Sequence, residues 1–288
     1  MQIEKITKKI EGEYKLDAFI YSPKEDGKYP AILMCHGFLS AKDELGELPE
    51  KISEQGYIVL TFDFTGHGKS EGDRGYFRSI SHLDDTERAL KTLFEFEKTD
   101  TERVAIVGHS MGTVATTRVL GETELGKKCK TAVLMAPVRK FTDSVKGLEL
   151  QAYKAVSNIA WPILLLTGKH IYLPYKFTTK DIFKDQEVAK KAKAGGFLQT
   201  SMSVNNYHYM INQVDNEKFA SKITIPTMIM VAKNDPMVPN KGSKAVYDSI
   251  RTVDKKYIEI ENSGHSMMMD SNKEEVEKQL LDWFKEKL

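Results

Sequence analysis

Gly108-His109-Ser110-Met111-Gly112 follows an apolar run, Val104–Val107, and opens a helical pattern, Met111–Leu120. Between a strand and a helix, this spacing suits a nucleophilic serine. The turn leaves no room for a Cβ two residues to either side, and it exposes the hydroxyl at the helix N-terminus. The pentapeptide alone is a weak signal, with a plain glycine-rich turn as the competing reading; the flanking elements make it strong. A serine hydroxyl is a poor nucleophile at neutral pH and needs a base. The chain has seven histidines, His36, His67, His82, His109, His170, His208 and His265. His265, in Ser263-Gly264-His265-Ser266, follows the last strand-like run and so reaches the same sheet edge as Ser110. His109 lies in the turn itself and points away from the hydroxyl. The imidazole in turn needs a carboxylate to fix its tautomer. Asp235, in Lys233-Asn234-Asp235-Pro236, follows the run Thr227–Val231 and stands at that edge. Asp248 and Asp254 lie in or after a helix and reach the opposite edge. A turn-capping aspartate is the plain alternative for Asp235.

Charge developing on an attacked carbonyl requires backbone donors aimed at it. The Met111 amide is one expected donor. The Phe38 amide, in His36-Gly37-Phe38-Leu39 after the run Ala31–Cys35, is the other. The Phe38 ring is expected to line an acyl site or to pack in the core. A second loop, Asp63–Gly72, has three glycines but lacks the Gly-x-x-x-x-Gly-Lys-Ser/Thr spacing, which excludes a Walker phosphate loop. It reads as a tight surface turn near the mouth of the site.

The elements that position these residues follow from hydrophobic pattern. Ala31–Cys35, Ile58–Phe62, Val104–Val107, Thr131–Met135, Thr227–Val231 and Tyr257–Ile260 are short, continuous apolar runs, as strands buried on both faces of a parallel sheet require. Helical patterns at about Leu45–Gln55, Ser81–Glu97, Met111–Leu120, Lys241–Ser249 and Lys273–Lys287 alternate with them. In the last, Val276, Leu280, Leu281 and Phe284 form one stripe that should pack on the sheet. Ile3–Ile10 and Lys15–Tyr21 predict an opening antiparallel hairpin. The alternation breaks between Val138 and Lys222, a stretch with 11 of the chain's 27 aromatic residues and 13 Lys or Arg against 7 Asp or Glu. An aromatic-rich, helical insertion between two strands predicts a cap over the site. The candidate pocket residues are His109, Trp161, Tyr172, Tyr207, His208 and Met237, with Tyr153, Tyr175, Phe177 and Tyr209 as further aromatics. For each cap aromatic, packing within the cap is the competing reading. Met237 and Met267–Met269 flank the acid and base and read as core, with lining of the pocket as the competing reading.

The 288 residues suit one large domain with an insertion, and 41% hydrophobic content supports a substantial core. A net charge of +1 gives no overall field for nucleic acid. The total hides a basic insertion on an acidic remainder, so weak contact of the cap with an anionic surface stays open. Two cysteines, Cys35 and Cys129, make no disulfide framework and lack metal-ligand spacing. They read as buried hydrophobes in a reducing compartment, and the absence of a leader-like N-terminus or a bilayer-length apolar run predicts a cytoplasmic protein.

Together these residues resemble the α/β-hydrolase superfamily over the whole chain except the cap. The loops His36-Gly37-Phe38 and Phe62–Ser70 look most like those of bacterial cinnamoyl (feruloyl) esterases. Gly-His-Ser-Met-Gly and the cap position also resemble monoacylglycerol lipases and related carboxylesterases. The resemblance implies an α/β-hydrolase fold, a mostly parallel sheet flanked by helices, with core residues 1–137 and 223–288 and a cap at 138–222. It implies a Ser110–His265–Asp235 triad, an oxyanion hole at Phe38 and Met111, and no cofactor or metal. Thr113 departs from the third glycine of many relatives, which is expected to tighten packing behind the turn. The implied activity is hydrolysis of small to medium acyl or aryl esters through an acyl-enzyme, with a monoacylglycerol lipase as the alternative. Thioesterases, peptidases and carbon–carbon bond hydrolases share the serine. Dehalogenases and epoxide hydrolases use aspartate there, and a non-catalytic binding protein is expected to have lost a triad member. An imidazole near its ordinary value of about 6.5 predicts activity rising through that pH.

Overall fold

In the computed structural model, which describes residues 1–76, 79–145, 147–174 and 182–288, the apolar runs become strands whose alternate side chains enter two separate cores. Ala31, Leu33 and Cys35 face one core while Ile32 and Met34 face the other; Ile106 and Leu134 divide from Val107 and Val133 in the same way. A period of two with both faces covered explains why these runs carry no polar alternation.

The chain opens with β1 (Ile3–Ile10), β2 (Leu16–Pro23) and β3 (Tyr29–Cys35), then α1 (Leu48–Glu54), β4 (Ile58–Phe62) and α2 (Ser79–Phe94). It continues through β5 (Thr99–His109), α3 (Gly112–Glu122) and β6 (Thr131–Met135). The insertion carries α4 (Phe141–Ser144), α5 (Gly147–Thr167), β7 (Tyr172–Pro174), α6 (Gln186–Gly195), β8 (Ser201–Ser203), α7 (Asn206–Asn212) and α8 (Asn216–Ala220). β9 (Thr227–Ala232), α9 (Asn240–Ser249), β10 (Lys255–Ile260) and α10 (Lys273–Lys287) complete it. The sheet runs β1-β2-β4-β3-β5-β6-β9-β10. β1–β2 and β2–β4 are antiparallel and the other pairs parallel. The loops after β3, β4, β5, β9 and β10 therefore emerge along one edge.

Helices α2, α3 and α9 cover one face, and α1 and α10 the other. On α10, Val276, Leu280 and Phe284 are buried and Leu281 partly so; Trp283 is also buried and donates its Nε1–H to Thr131 Oγ1 at 2.8 Å.

Four expectations change in detail. The helix foreseen at Leu45–Gln55 is a 3-10 turn, Lys42–Leu45, followed by α1. β10 is an edge strand, half-exposed for most of its length. The insertion is not wholly helical, because β7 and β8 pair antiparallel. The Asp63–Gly72 loop is largely buried: Asp63 accepts from Lys69 N at 2.8 Å and receives Lys42 Nζ at 2.6 Å. At the insertion's end, Ala220 joins the main core and α8 packs against α3. Cys35 and Cys129 are buried, and burial pushes their thiols up to about 12. Among the described residues, no helix is long and apolar enough to cross a membrane and no side-chain cluster could hold a metal ion.

Candidate active site

β5 delivers the chain to the sheet edge, where Ser110 adopts a left-handed φ of 52°. Such a conformation costs a non-glycine residue about 1–3 kcal/mol and persists only when its surroundings impose it. Here Ser110 N donates to Met135 O at 2.8 Å, while Thr113 N and Oγ1 donate to Ser110 O at 3.0 and 2.5 Å. A Cβ on Gly108 would stand 2.5 Å from Thr116 Oγ1, and one on Gly112 2.4 Å from His36 O. Both flanking positions thus require glycine. Met111 occupies the N-cap of α3, so its amide sits at the positive end of the helix dipole.

His265 reaches Ser110 from the loop after β10, its Nε2 lying 2.9 Å from Ser110 Oγ. Its Nδ1 lies 2.7 Å from Asp235 Oδ2, and the other Asp235 oxygen accepts from Met237 N and Val238 N at 2.8 and 2.9 Å. The three residues singled out from sequence are therefore joined in one hydrogen-bonded chain. Burial opposes a charge on His265, yet the Asp235 carboxylate, with Glu44 behind it, raises its pKa above the ordinary imidazole value. Burial likewise opposes the Asp235 charge, but His265 and the Val238 and Met237 amides hold it below the usual carboxylate range.

A cavity of about 20 Å³ adjoins Ser110, walled by Phe38 and Met237 from the core and Ile182 and Leu198 from the insertion. Glu44, His265 and Ser266 complete its lining. Of the candidate pocket residues, Met237 is on this wall. Trp161 instead stacks on His208 with ring centroids 4.1 Å apart, and Tyr207 stacks on Tyr153 at the same separation. Trp161 borders a separate cavity of about 310 Å³ with Tyr14, Tyr76 and His170. Tyr172 stands on β7, exposed. His109 is fully buried behind the site: its Nε2 is 3.1 Å from His265 O and its Nδ1 3.1 Å from Glu44 Oε1. Its place as the last residue of β5 turns the ring under the elbow, away from the cavity. Tyr175 and Phe177 lie outside the described residues.

Three polar residues that sequence reasoning passed over support this arrangement. Asn216 on α8 donates to Thr113 Oγ1 at 3.1 Å and bonds Thr117 Oγ1, locking the start of α3. Asp270 accepts from Gly264 N, Lys184 N and Asp185 N at 2.5, 2.7 and 2.8 Å, tying the histidine loop to the insertion. Glu44 contacts the Phe38 loop. Only Asp270 carries a sequence signal, an Asp-Ser-Asn run before the last helix that reads as a helix start.

A family model described as Hydrolase_4, serine aminopeptidase S33, matches residues 28–272. An uncharacterised 31.7 kDa protein of Escherichia coli is 23% identical over 272 residues, covering 92% of this chain and 94% of its own. Among solved structures, a soluble variant of monoglyceride lipase from Saccharomyces cerevisiae, in complex with a substrate analogue, superposes with a TM-score of 0.79 at 16% identity, covering 98% of this chain and 94% of that one. Est1E from Butyrivibrio proteoclasticus with ferulic acid bound gives 0.69 at 19%, over 97% and 98% of the two chains. The shared feature is the α/β-hydrolase fold.

Proposed function

The chain belongs to the Hydrolase_4 family, and on that premise we propose that it is a serine carboxylester hydrolase working through Ser110, His265 and Asp235. The observation that carries this reading is the contact chain from Ser110 Oγ to His265 Nε2 and from His265 Nδ1 to Asp235, at 2.9 and 2.7 Å. His265 takes the Ser110 proton as Oγ attacks the ester carbonyl, and the Phe38 and Met111 amides receive the oxyanion. The imidazolium, held by Asp235, protonates the departing alcohol. Water, activated by the same imidazole, then releases the acid from the acyl-serine.

The substrate is a small to medium acyl or aryl ester. The residues 138–222 act as the cap, and Ile182 and Leu198 supply an apolar wall for the acyl group. A cavity of about 20 Å³ has room for little more than a water molecule, so an acyl chain enters by displacing these side chains. An aminopeptidase would need an available carboxylate for the substrate's ammonium group. The carboxylate on this wall, Glu44, is already engaged by Gly37 N and Ser266 Oγ.

A second reading, hydrolysis of monoacylglycerols, is favoured by the apolar surface of the insertion. On α5, Leu148, Ile159, Leu165 and Leu166 are 90, 66, 68 and 85% exposed. One panel separates the readings: p-nitrophenyl esters of increasing chain length, a methyl hydroxycinnamate, a monoacylglycerol and an aminoacyl anilide, for wild type and Ser110→Ala. We expect turnover of esters but not the anilide, lost in Ser110→Ala together with covalent labelling by a fluorophosphonate. Undiminished ester hydrolysis by Ser110→Ala would falsify the serine mechanism.

A further inference from the structure

We propose that Glu44 is a positioning residue of this hydrolase, a single buried carboxylate that fixes the oxyanion loop against both the nucleophile elbow and the histidine loop. The proposal rests on the serine-hydrolase reading above. Glu44 lies in the 3-10 turn Lys42–Leu45 and is only 5% exposed. Its Oε2 accepts from Gly37 N at 2.7 Å, and so holds the residue immediately before the Phe38 amide. Its Oε1 accepts from Ser266 Oγ at 3.2 Å, next to His265 in the chain. The same oxygen lies 3.1 Å from Nδ1 of His109, the residue before Ser110, a close approach without hydrogen-bond alignment. His109 Nε2 in turn donates to the His265 carbonyl at 3.1 Å. One side chain therefore spans the three loops whose relative placement defines the reaction geometry.

The turn that carries Glu44 is itself anchored. Its neighbour Lys42 places Nζ 2.6 Å from both Asp17 and Asp63, and Lys42 N donates to Asp63 Oδ1 at 2.7 Å. Glu44 thus pushes on the site from a fixed base. Its charge also bears on the base. Among the described residues, His109 and His36 act on Glu44, and Asp235 and Glu44 act on His265. Burial works against the Glu44 charge, but His109, the Gly37 amide and His36 hold its pKa well below the usual carboxylate range. An ionised Glu44 favours the imidazolium that His265 becomes in the transition state.

The test is Glu44→Gln in the full-length protein, with Glu44→Asp beside it. Gln can still accept from Gly37 N but carries no charge. We expect kcat to fall about 10–100-fold, less than the roughly 10²–10³-fold cost of deleting an oxyanion donor outright. KM should stay within about two-fold, the signature of an interaction made mainly in the transition state. The His265 imidazole titration, followed by NMR, should move to lower pH, and Glu44→Asp should restore it in part. Wild-type kcat together with an unmoved His265 titration in Glu44→Gln overturns the proposal. If Glu44→Gln does not fold, Ser266→Ala removes one tether: a fall in kcat supports the proposal and wild-type kcat overturns it. The NMR titration needs no substrate. A failure of the serine reading, seen as undiminished turnover by Ser110→Ala, is therefore distinguishable from a failure at Glu44.

Discussion

Gly264 lies so close to Ile182 that a Cβ added to it would stand 2.6 Å from the Ile182 carbonyl oxygen. The contact joins the histidine loop to the insertion, and Ser266 N reinforces it by donating to the same carbonyl at 3.0 Å. Gly264→Ala must push His265 away from Ser110 or lift the insertion. We expect a loss of about 1–3 kcal/mol in stability from overpacking, with kcat reduced at least about tenfold, since small misplacements of a reacting group cost up to about 10²-fold. Thermal unfolding and steady-state kinetics on one ester check both. An unchanged kcat with lowered stability would show that the insertion yields and His265 does not.

On the proposed mechanism, the Asp235–His265 pair sets the pH dependence. Catalysis needs the neutral imidazole, so kcat/KM should rise with pH through a midpoint above 6.5, the ordinary imidazole value, because the His265 pKa is raised. This moves the acid limb up from the position expected on sequence alone. In Asp235→Asn the opposing effect of burial dominates, and the midpoint should drop. The rate should also fall by about 10⁴-fold, as it does when the wrong tautomer is held in a serine protease. Stability follows the same signs. The raised His265 pKa contributes stability that is complete below its unfolded value and is lost as pH rises through the folded one. The lowered Asp235 contributes above its unfolded value and loses that contribution as pH falls through the folded one.

How much of this is legible in the sequence depends on whether the information is local. Gly108, Ser110 and Gly112 could be read because a strained turn imposes its demands within five residues. Asp235 and His265 could be read because parallel strands deliver their following loops to one edge. Glu44 could not, since Lys42-Asp43-Glu44-Leu45 looks like any charged surface turn and its burial depends on Gly37, His109 and Ser266, from three separate loops. The Asp63–Gly72 loop misled for the same reason: polar composition suggested exposure, but Lys42 neutralises Asp63 from across the fold. Trp161, Tyr153 and Tyr207 showed as an aromatic excess, but composition carries no direction, and their rings stack within the insertion.

Those stacks predict which residues pack the insertion and which shape specificity. Trp161→Ala should lower the thermal midpoint while leaving kcat/KM for short esters within about three-fold, because the ring rests on His208 rather than on the cavity beside Ser110. Met237→Ala, by contrast, enlarges the cavity wall. Its kcat/KM ratio for long over short acyl esters should rise by about tenfold, the scale that one or two methylenes supply in an apolar pocket. The chain-length panel run on both variants checks this; a shift in preference in Trp161→Ala equal to that in Met237→Ala would contradict the placement.

Lys42 supplies the sharpest stability prediction, since its side chain is 2% exposed and its Nζ bridges two buried carboxylates, Asp17 and Asp63. Lys42→Met leaves those carboxylates facing each other, with Lys9 at 2.7 Å as a partner for Asp17 alone. Removing one member of a buried ion pair costs about 3–5 kcal/mol, mostly because the remaining charge is uncompensated. Denaturant unfolding should show a loss on that scale near neutral pH. The penalty is electrostatic, so it should shrink at acid pH. Adding Asp17→Asn and Asp63→Asn to Lys42→Met removes the charges that make the vacancy costly, so the triple variant should regain most of the loss at neutral pH. Recovery in the triple variant would assign the penalty to unpaired charge. Equal instability in single and triple variants would assign it to the lost contact of the Lys42 ammonium with the Phe19 ring, whose centroid lies 4.6 Å from Nζ.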